Sequence, residues 1–203
     1  MGNFYAPSNM LGDFKAMSVQ AAGGVCSVAV NRYRNANNAA DKGGTQSAIQ
    51  IKDALLQTGG AGNILAGAGG AQAYMDVFTG KGSVRGISAV LGQFATYDKQ
   101  FIAKFGGLPK TDPRRRCADC LADSNLSWEE TLQAISNDFI GLDCNGFVGN
   151  WLKAVAPEFK IGANTRPRDI YNARKASRNS VKEVEYWDVV VWADFSHIAA
   201  IDG

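Results

Sequence analysis

The chain has 203 residues, a formal net charge of +2 and a hydrophobic content of 46%. This length fits either one large domain or a small catalytic domain with an extension. The charge is too small to indicate a nucleic-acid-binding protein, and the hydrophobic content is ordinary for a globular fold.

The first residues do not form a common targeting signal. Residues 1–7 lack the basic start and the apolar run of a Sec signal peptide. They also fail the myristoylation pattern, because Ala6 stands where Ser or Thr is required. If the protein acts outside the cytoplasm, we expect it to be exported without a recognisable Sec signal.

Residues 1–107 are predicted to form a Gly/Ala-rich, mainly helical N-terminal region, since they hold 18 of the 23 glycines. Cys26–Val30 could be a short strand or part of a helix. Thr45 could cap a helix that ends at Gly59. A longer apolar stripe at helical spacing stops before Gly106 and comprises Ile87, Leu91, Phe94, Phe101 and Phe105.

One uncharged segment is long enough to cross a bilayer. It runs from Ala54 to Met75 and carries no charged residue. Its polar residues and many Gly and Ala residues give it little transfer energy into lipid. We therefore expect a small-residue helix packed against neighbours and not a membrane span.

Residues 108–203 are predicted to form the second domain. Pro109 and Pro113 mark a loop, and we expect the basic run Arg114–Arg116 to be a solvated part of it. Ser127 and Glu130 have the spacing of a capping box, which predicts the start of a new helix.

Cys117 and Cys120 have the Cys-x-x-Cys spacing. A structural zinc site would need two further ligands, which the remaining cysteines and the one histidine do not readily supply. A local disulfide stays open and would require an oxidising compartment. We predict neither a metal nor another cofactor.

Cys144 is the candidate nucleophile. Asp143 is a good N-cap residue, and apolar residues recur behind it at helical spacing, so Cys144 should lie in the first turn of a helix. The positive end of that helix would stabilise a thiolate. Gly146 and Gly149 indicate close approach of another backbone or of substrate. A buried structural cysteine is the alternative.

His197 is the candidate base, because it is the one histidine in the chain. A thiol nucleophile needs a base with a pKa near neutrality, and His has one without special perturbation. The catalytic hypothesis therefore reduces to the pair of Cys144 and His197.

The motif Asp143-Cys144-Asn145-Gly146-Phe147-Val148 resembles the nucleophile motif of the NlpC family of papain-like cell-wall cysteine peptidases. The segments 187–192 and 196–199 are similar to the two strands that follow in that family, the second of which carries the histidine. The amidase family called CHAP shares this layout. The resemblance covers residues 137–203 and implies an α+β, papain-like NlpC-type fold, with the cysteine helix packed on an antiparallel sheet.

The motif departs from the family at several positions. Asn145 replaces a serine, Trp187 replaces a glycine, and Leu132 stands where stem-peptide hydrolases often have a tyrosine. The family's third catalytic residue would fall beyond Gly203, so we expect a truncated C-terminus or an orienting group from elsewhere. Asp194 is the nearest candidate in sequence.

The resemblance implies a cysteine hydrolase that cleaves an amide bond of bacterial peptidoglycan, as endopeptidase or amidase, in the periplasm or cell wall. Without a Sec signal, an antibacterial effector such as a type VI secretion toxin fits. Its expected partners are a peptidoglycan peptide and an immunity or secretion-apparatus protein. A transferase using the same acyl-enzyme, and a catalytically decayed NlpC-like binding module, remain alternatives.

Overall fold

The computed structural model describes residues 5–34, 42–173, 176–178 and 180–202. These residues form an α+β structure that is mostly helical, as the sequence predicted at this coarse level. Its elements are α1 (Pro7–Lys15), β1 (Met17–Ala21), β2 (Gly24–Val28), α2 (Lys42–Gly59), α3 (Ala61–Ala68), α4 (Ala71–Phe78), α5 (Val84–Thr96), α6 (Asp98–Phe105), α7 (Pro113–Ala122), α8 (Trp128–Phe139), α9 (Cys144–Val155), α10 (Pro167–Asn172), β3 (Val189–Val191) and β4 (Ile198–Ala200).

The four strands form two separate antiparallel hairpins. In the first, β1 pairs with β2 from Met17↔Val28 to Ala21↔Gly24, which confirms the strand option for this segment. In the second, β3 pairs with β4, and Val191 lies opposite Ile198. The first hairpin packs against α5 and α8, whereas the second packs against α9 and α10.

The main hydrophobic core draws on both predicted regions. It contains Phe14, Leu55 and Phe94 from before residue 107, and Leu132 and Trp151 from after it. All five are almost fully buried. The division at residues 107 and 108 stays a prediction, and the cluster itself packs elements from both sides together.

The uncharged segment 54–75 is divided among three helices. Gly60, Gly69 and Gly70 separate them, with φ values of 76°, 90° and 106°, in the left-handed region that glycine adopts without strain. Among the described residues, no helix has both the length and the apolar character needed to cross a bilayer.

Three local predictions need correction. Helix α2 begins at Lys42, so Thr45 lies inside its first turn instead of capping it. The apolar stripe is buried, but it spans two helices instead of one, because α5 ends before Tyr97 and α6 begins after it. Arg114–Arg116 belong to α7, where Asp112 caps the helix and Pro113 opens it.

A smaller hydrophobic cluster joins α9 to the second hairpin. Val148, Ile161, Ile170 and Ile198 are its buried members, and Cys144 packs against it. The helix that begins at Cys144 therefore lies on an antiparallel pair of strands.

Candidate functional site

The N-terminus of α9 is built as the sequence predicted. Cys144 is its first residue, and the Asp143 carboxylate accepts a hydrogen bond from the backbone N–H of Gly146. The capped terminus directs the positive end of a twelve-residue helix toward Cys144. Cys144 is half-buried, so its thiol is neither a fully buried core group nor a freely solvated one.

The loop at residues 80–82 holds this terminus from the side. The Gly80 carbonyl accepts a hydrogen bond from Asp143 N–H at 2.7 Å. Lys81 Nζ lies 3.0 Å from Asp143 Oδ2, and both side chains are mostly buried. Burial raises the pKa of Asp143, and the Lys81 ammonium opposes that shift. The Lys81 ammonium thus offsets part of the free-energy cost of burying the Asp143 carboxylate beside Cys144.

The two glycines in α9 mark close backbone approaches, which confirms that prediction. A Cβ on Gly146 would overlap the Gly80 carbonyl, and one on Gly149 would overlap the Gly162 carbonyl. Asn150 ties the same surfaces together, because its amide donates to the carbonyls of Lys81 and Gly82. Two loops therefore fix the position of the helix.

A groove of about 250 Å³ opens beside the Cys144 side chain. Tyr33 lines it together with Cys144. Burial and the neighbouring Cys144 raise the pKa of Tyr33 to about 12, although 53% of the residue's surface is exposed. At neutral pH the Tyr33 hydroxyl is therefore protonated and can donate a hydrogen bond to a thiolate.

His197 immediately precedes β4, and its carbonyl accepts a hydrogen bond from the backbone N–H of Trp192, just after β3, at 3.1 Å. Its side chain is exposed, and its ring lies edge-to-face with Trp192 at a centroid distance of 5.9 Å. Ile198, the next residue, belongs to the cluster that Cys144 contacts. Within the described residues, no hydrogen bond joins the Cys144 thiol to the His197 ring. The connection between the two residues is indirect, because Cys144 packs against the cluster that contains Ile198.

Asp194 lies in the turn between β3 and β4. Its Oδ1 accepts hydrogen bonds from the backbone N–H and the hydroxyl of Ser196, at 3.0 and 2.7 Å. These bonds, with a smaller contribution from His197, lower the pKa of Asp194. The carboxylate therefore shapes the turn that presents His197, and it lies on the exposed surface.

Trp187 has a φ value of 76°, in the left-handed region that a large side chain rarely adopts. Its ring packs edge-to-face on Trp151, with a centroid distance of 6.5 Å. The backbone N–H of Trp187 donates a hydrogen bond to the Ile201 carbonyl at 2.9 Å, which extends the pairing of the hairpin beyond β3. The NlpC family motif has a glycine at this position, and glycine would adopt this backbone without strain.

The other cysteines form no site of their own. All four cysteines are free thiols. The disulfide between Cys117 and Cys120, which the sequence left open, is therefore not formed. Cys117 is buried within α7, and burial raises its pKa. Within the described residues, no group of three or more His, Cys, Asp or Glu side chains is placed to hold a metal ion.

Sequence reasoning missed Tyr33 and Lys81. They lie 111 and 62 residues before Cys144 and Asp143, and neither belongs to a recognisable motif. The glycine before Lys81, with a φ value of 84°, was the one local signal, because it marks a tight turn.

Comparisons with known proteins do not place the chain in a family: no family model, curated protein or solved structure matches it.

Proposed function

We propose that this protein is a cysteine hydrolase that cleaves an amide bond in bacterial peptidoglycan, as an endopeptidase or an amidase, with an NlpC-type papain-like domain. Cys144 is the nucleophile and His197 the base. The observation that carries the proposal is the position of Cys144. It begins a capped helix, lines an open groove and packs against the hairpin that bears the one histidine.

In the proposed reaction, His197 takes the thiol proton and the Cys144 sulfur attacks the amide carbonyl. The resulting oxyanion is stabilised by N–H groups of the first turn of α9 and by the Tyr33 hydroxyl. The carbon–nitrogen bond then breaks, and His197 returns its proton to the leaving amine. Water next attacks the thioester and releases the carboxylic acid.

This reaction requires His197 to leave its contact with Trp192 and turn toward Cys144. The imidazole is exposed, so no packed core opposes that rotation. Catalytic hydrogen bonds are often long or poorly aligned before substrate binds and tighten only in the complex. The exposed Asp194 carboxylate, three residues earlier in the turn, is the acidic group nearest in sequence to orient the ring.

The proposed setting is the periplasm or cell wall, where the protein would act as an antibacterial effector of the type VI kind. An immunity protein that covers the groove beside Cys144 would be the matching partner. The setting rests on the motif resemblance, and it is separable from the reaction.

Thiol reactivity and substrate digestion together test the reaction. Cys144 should react with iodoacetamide at about pH 7, where an ordinary thiol is largely unreactive, and faster than the half-buried Cys120 in the same molecule. Burial raises the pKa of Cys120, so it is an internal control. Equal and slow labelling of both cysteines would count against an activated nucleophile.

A non-enzymatic binding module is the second candidate, and the position of His197 favours it. An imidazole packed on Trp192 and not bonded to Cys144 is what a decayed site would retain. Such a module would bind a wall fragment in the groove without turning it over. Binding that is unaffected by Cys144→Ala, with no cleavage by the unmodified protein, would identify it.

A further inference from the structure

A second cavity, of about 440 Å³, lies among α4, α9 and the loop at residues 160–165. Lys81, which pairs with Asp143, lines it. Polar side chains line much of it. Those that matter here are Asp76, Lys81, Lys153, Lys160 and Thr165. This cavity plays no part in the chemistry proposed for Cys144.

The charges around this cavity are not balanced. Lys81 is paired with Asp143, and the Asp76 carboxylate accepts hydrogen bonds from the amides of Gln72 and Asn164. Lys153 and Lys160, by contrast, have no ion pair or side-chain hydrogen bond within the described part of the chain. The lining described here therefore has two unpaired ammonium groups and one carboxylate, Asp76, whose charge its neutral amide partners do not cancel, which leaves an excess of one positive charge.

The wall of the cavity is also held in place before any ligand binds. Lys160 adopts a left-handed backbone with a φ value of 54°, at the end of a short 3-10 turn. The loop behind it closes on itself, because Gly162 N–H donates to Thr165 Oγ1 at 3.0 Å. That hydroxyl oxygen acts as acceptor there, so its own hydrogen can be donated to a ligand. Gly149 locks the loop against α9.

We propose that this cavity binds an anionic oxygen group, a carboxylate or a phosphate, through Lys153 and Lys160. Charge-assisted hydrogen bonds from ammonium groups are the strong contacts for such groups, and a preformed loop lowers the ordering cost of binding. The cavity is larger than a single ion needs, so the anionic group should belong to a larger molecule. The proposal does not depend on Cys144 being catalytic.

Titration of the full-length, ¹⁵N-labelled protein tests this proposal. Inorganic phosphate and glutarate are the two probes, and the amide signals of Gly162–Thr165 report binding. We expect saturable shifts of these signals with at least one probe. The preferred probe then distinguishes a phosphate source from a carboxylate source.

The variant Lys153→Gln/Lys160→Gln should weaken that binding about tenfold or more, since it removes both ammonium groups. The matched control Lys99→Gln/Lys110→Gln makes the same change in net charge at two exposed, unpaired lysines. Equal weakening by both variants, or shifts that do not saturate, would overturn the proposal. The single variant Lys160→Gln should also weaken binding relative to the wild type. Because Lys160 is exposed, this change should leave the fold intact.

Discussion

Replacement of Lys81 by methionine should destabilise the protein by removing the cation that compensates Asp143. The two groups lie 3.0 Å apart, with side-chain exposures of 21% and 13%. Breaking a fully buried pair by removing one partner costs about 3–5 kcal/mol. Here Asp143 keeps its bond from Gly146 N–H and some contact with water, so we expect about 2 kcal/mol.

The loss should depend on pH in one direction. Burial already raises the pKa of Asp143, and removal of Lys81 would raise it further. When the pKa of a carboxyl is higher in the folded protein than in the unfolded chain, the protein is most stable below the unfolded pKa. That stability is lost as the pH rises through the folded pKa. The deficit of Lys81→Met should therefore be largest at about pH 7.5 and should shrink toward about pH 4, near the unfolded carboxyl pKa.

Urea unfolding of the wild type and Lys81→Met at these two pH values measures both effects. Arg166→Met is the control, because Arg166 and Asp169 form an exposed pair whose loss should change stability little. Lys81→Arg should recover most of the stability by restoring the charge. A deficit that is equal at both pH values, or no larger than that of Arg166→Met, would refute the role assigned to the Lys81–Asp143 pair.

Three further predictions concern the site. Cys144→Ala and His197→Ala should each abolish hydrolysis while circular dichroism shows an intact fold, and the double variant should be no worse than either. Tyr33→Phe should slow iodoacetamide labelling of Cys144 several-fold at about pH 7, because the variant has no hydroxyl that could donate a hydrogen bond to the thiolate in their shared groove; an unchanged rate would remove Tyr33 from the site. Gly149→Ala should cost about 2 kcal/mol or more in urea unfolding, since its Cβ would overlap the Gly162 carbonyl, whereas Gly62→Ala in α3 meets nothing and should be neutral or slightly stabilising.

The local features of the site could be predicted from the sequence because local rules govern them. Asp143 caps α9 and Ser127 caps α8 through hydrogen bonds to the backbone N–H three residues later. Both partners of each bond therefore lie within one short sequence motif, which is why the motif predicts the contact. The glycines at 146 and 149 signalled close approach for a similar reason, since a missing Cβ is visible in the sequence. What approached them was not visible.

The remaining features depend on contacts between distant segments. Tyr33 and Lys81 reach Cys144 and Asp143 through tertiary packing, and the chain offers no spacing that predicts either contact. The break between α5 and α6 at Tyr97 was missed because the apolar stripe continues across it. The orientation of His197 was also out of reach, because a side chain at a strand terminus is set by its neighbours and not by the alternation within the strand.

Digestion of purified peptidoglycan, with products identified by mass spectrometry, tests the proposed hydrolysis most directly. The wild-type protein should release fragments that carry a new amine and a new carboxylic acid at one amide position, and Cys144→Ala should release none. Intact peptidoglycan after prolonged incubation with wild-type protein, or the same fragments from Cys144→Ala, would contradict a cysteine hydrolase with Cys144 as its nucleophile.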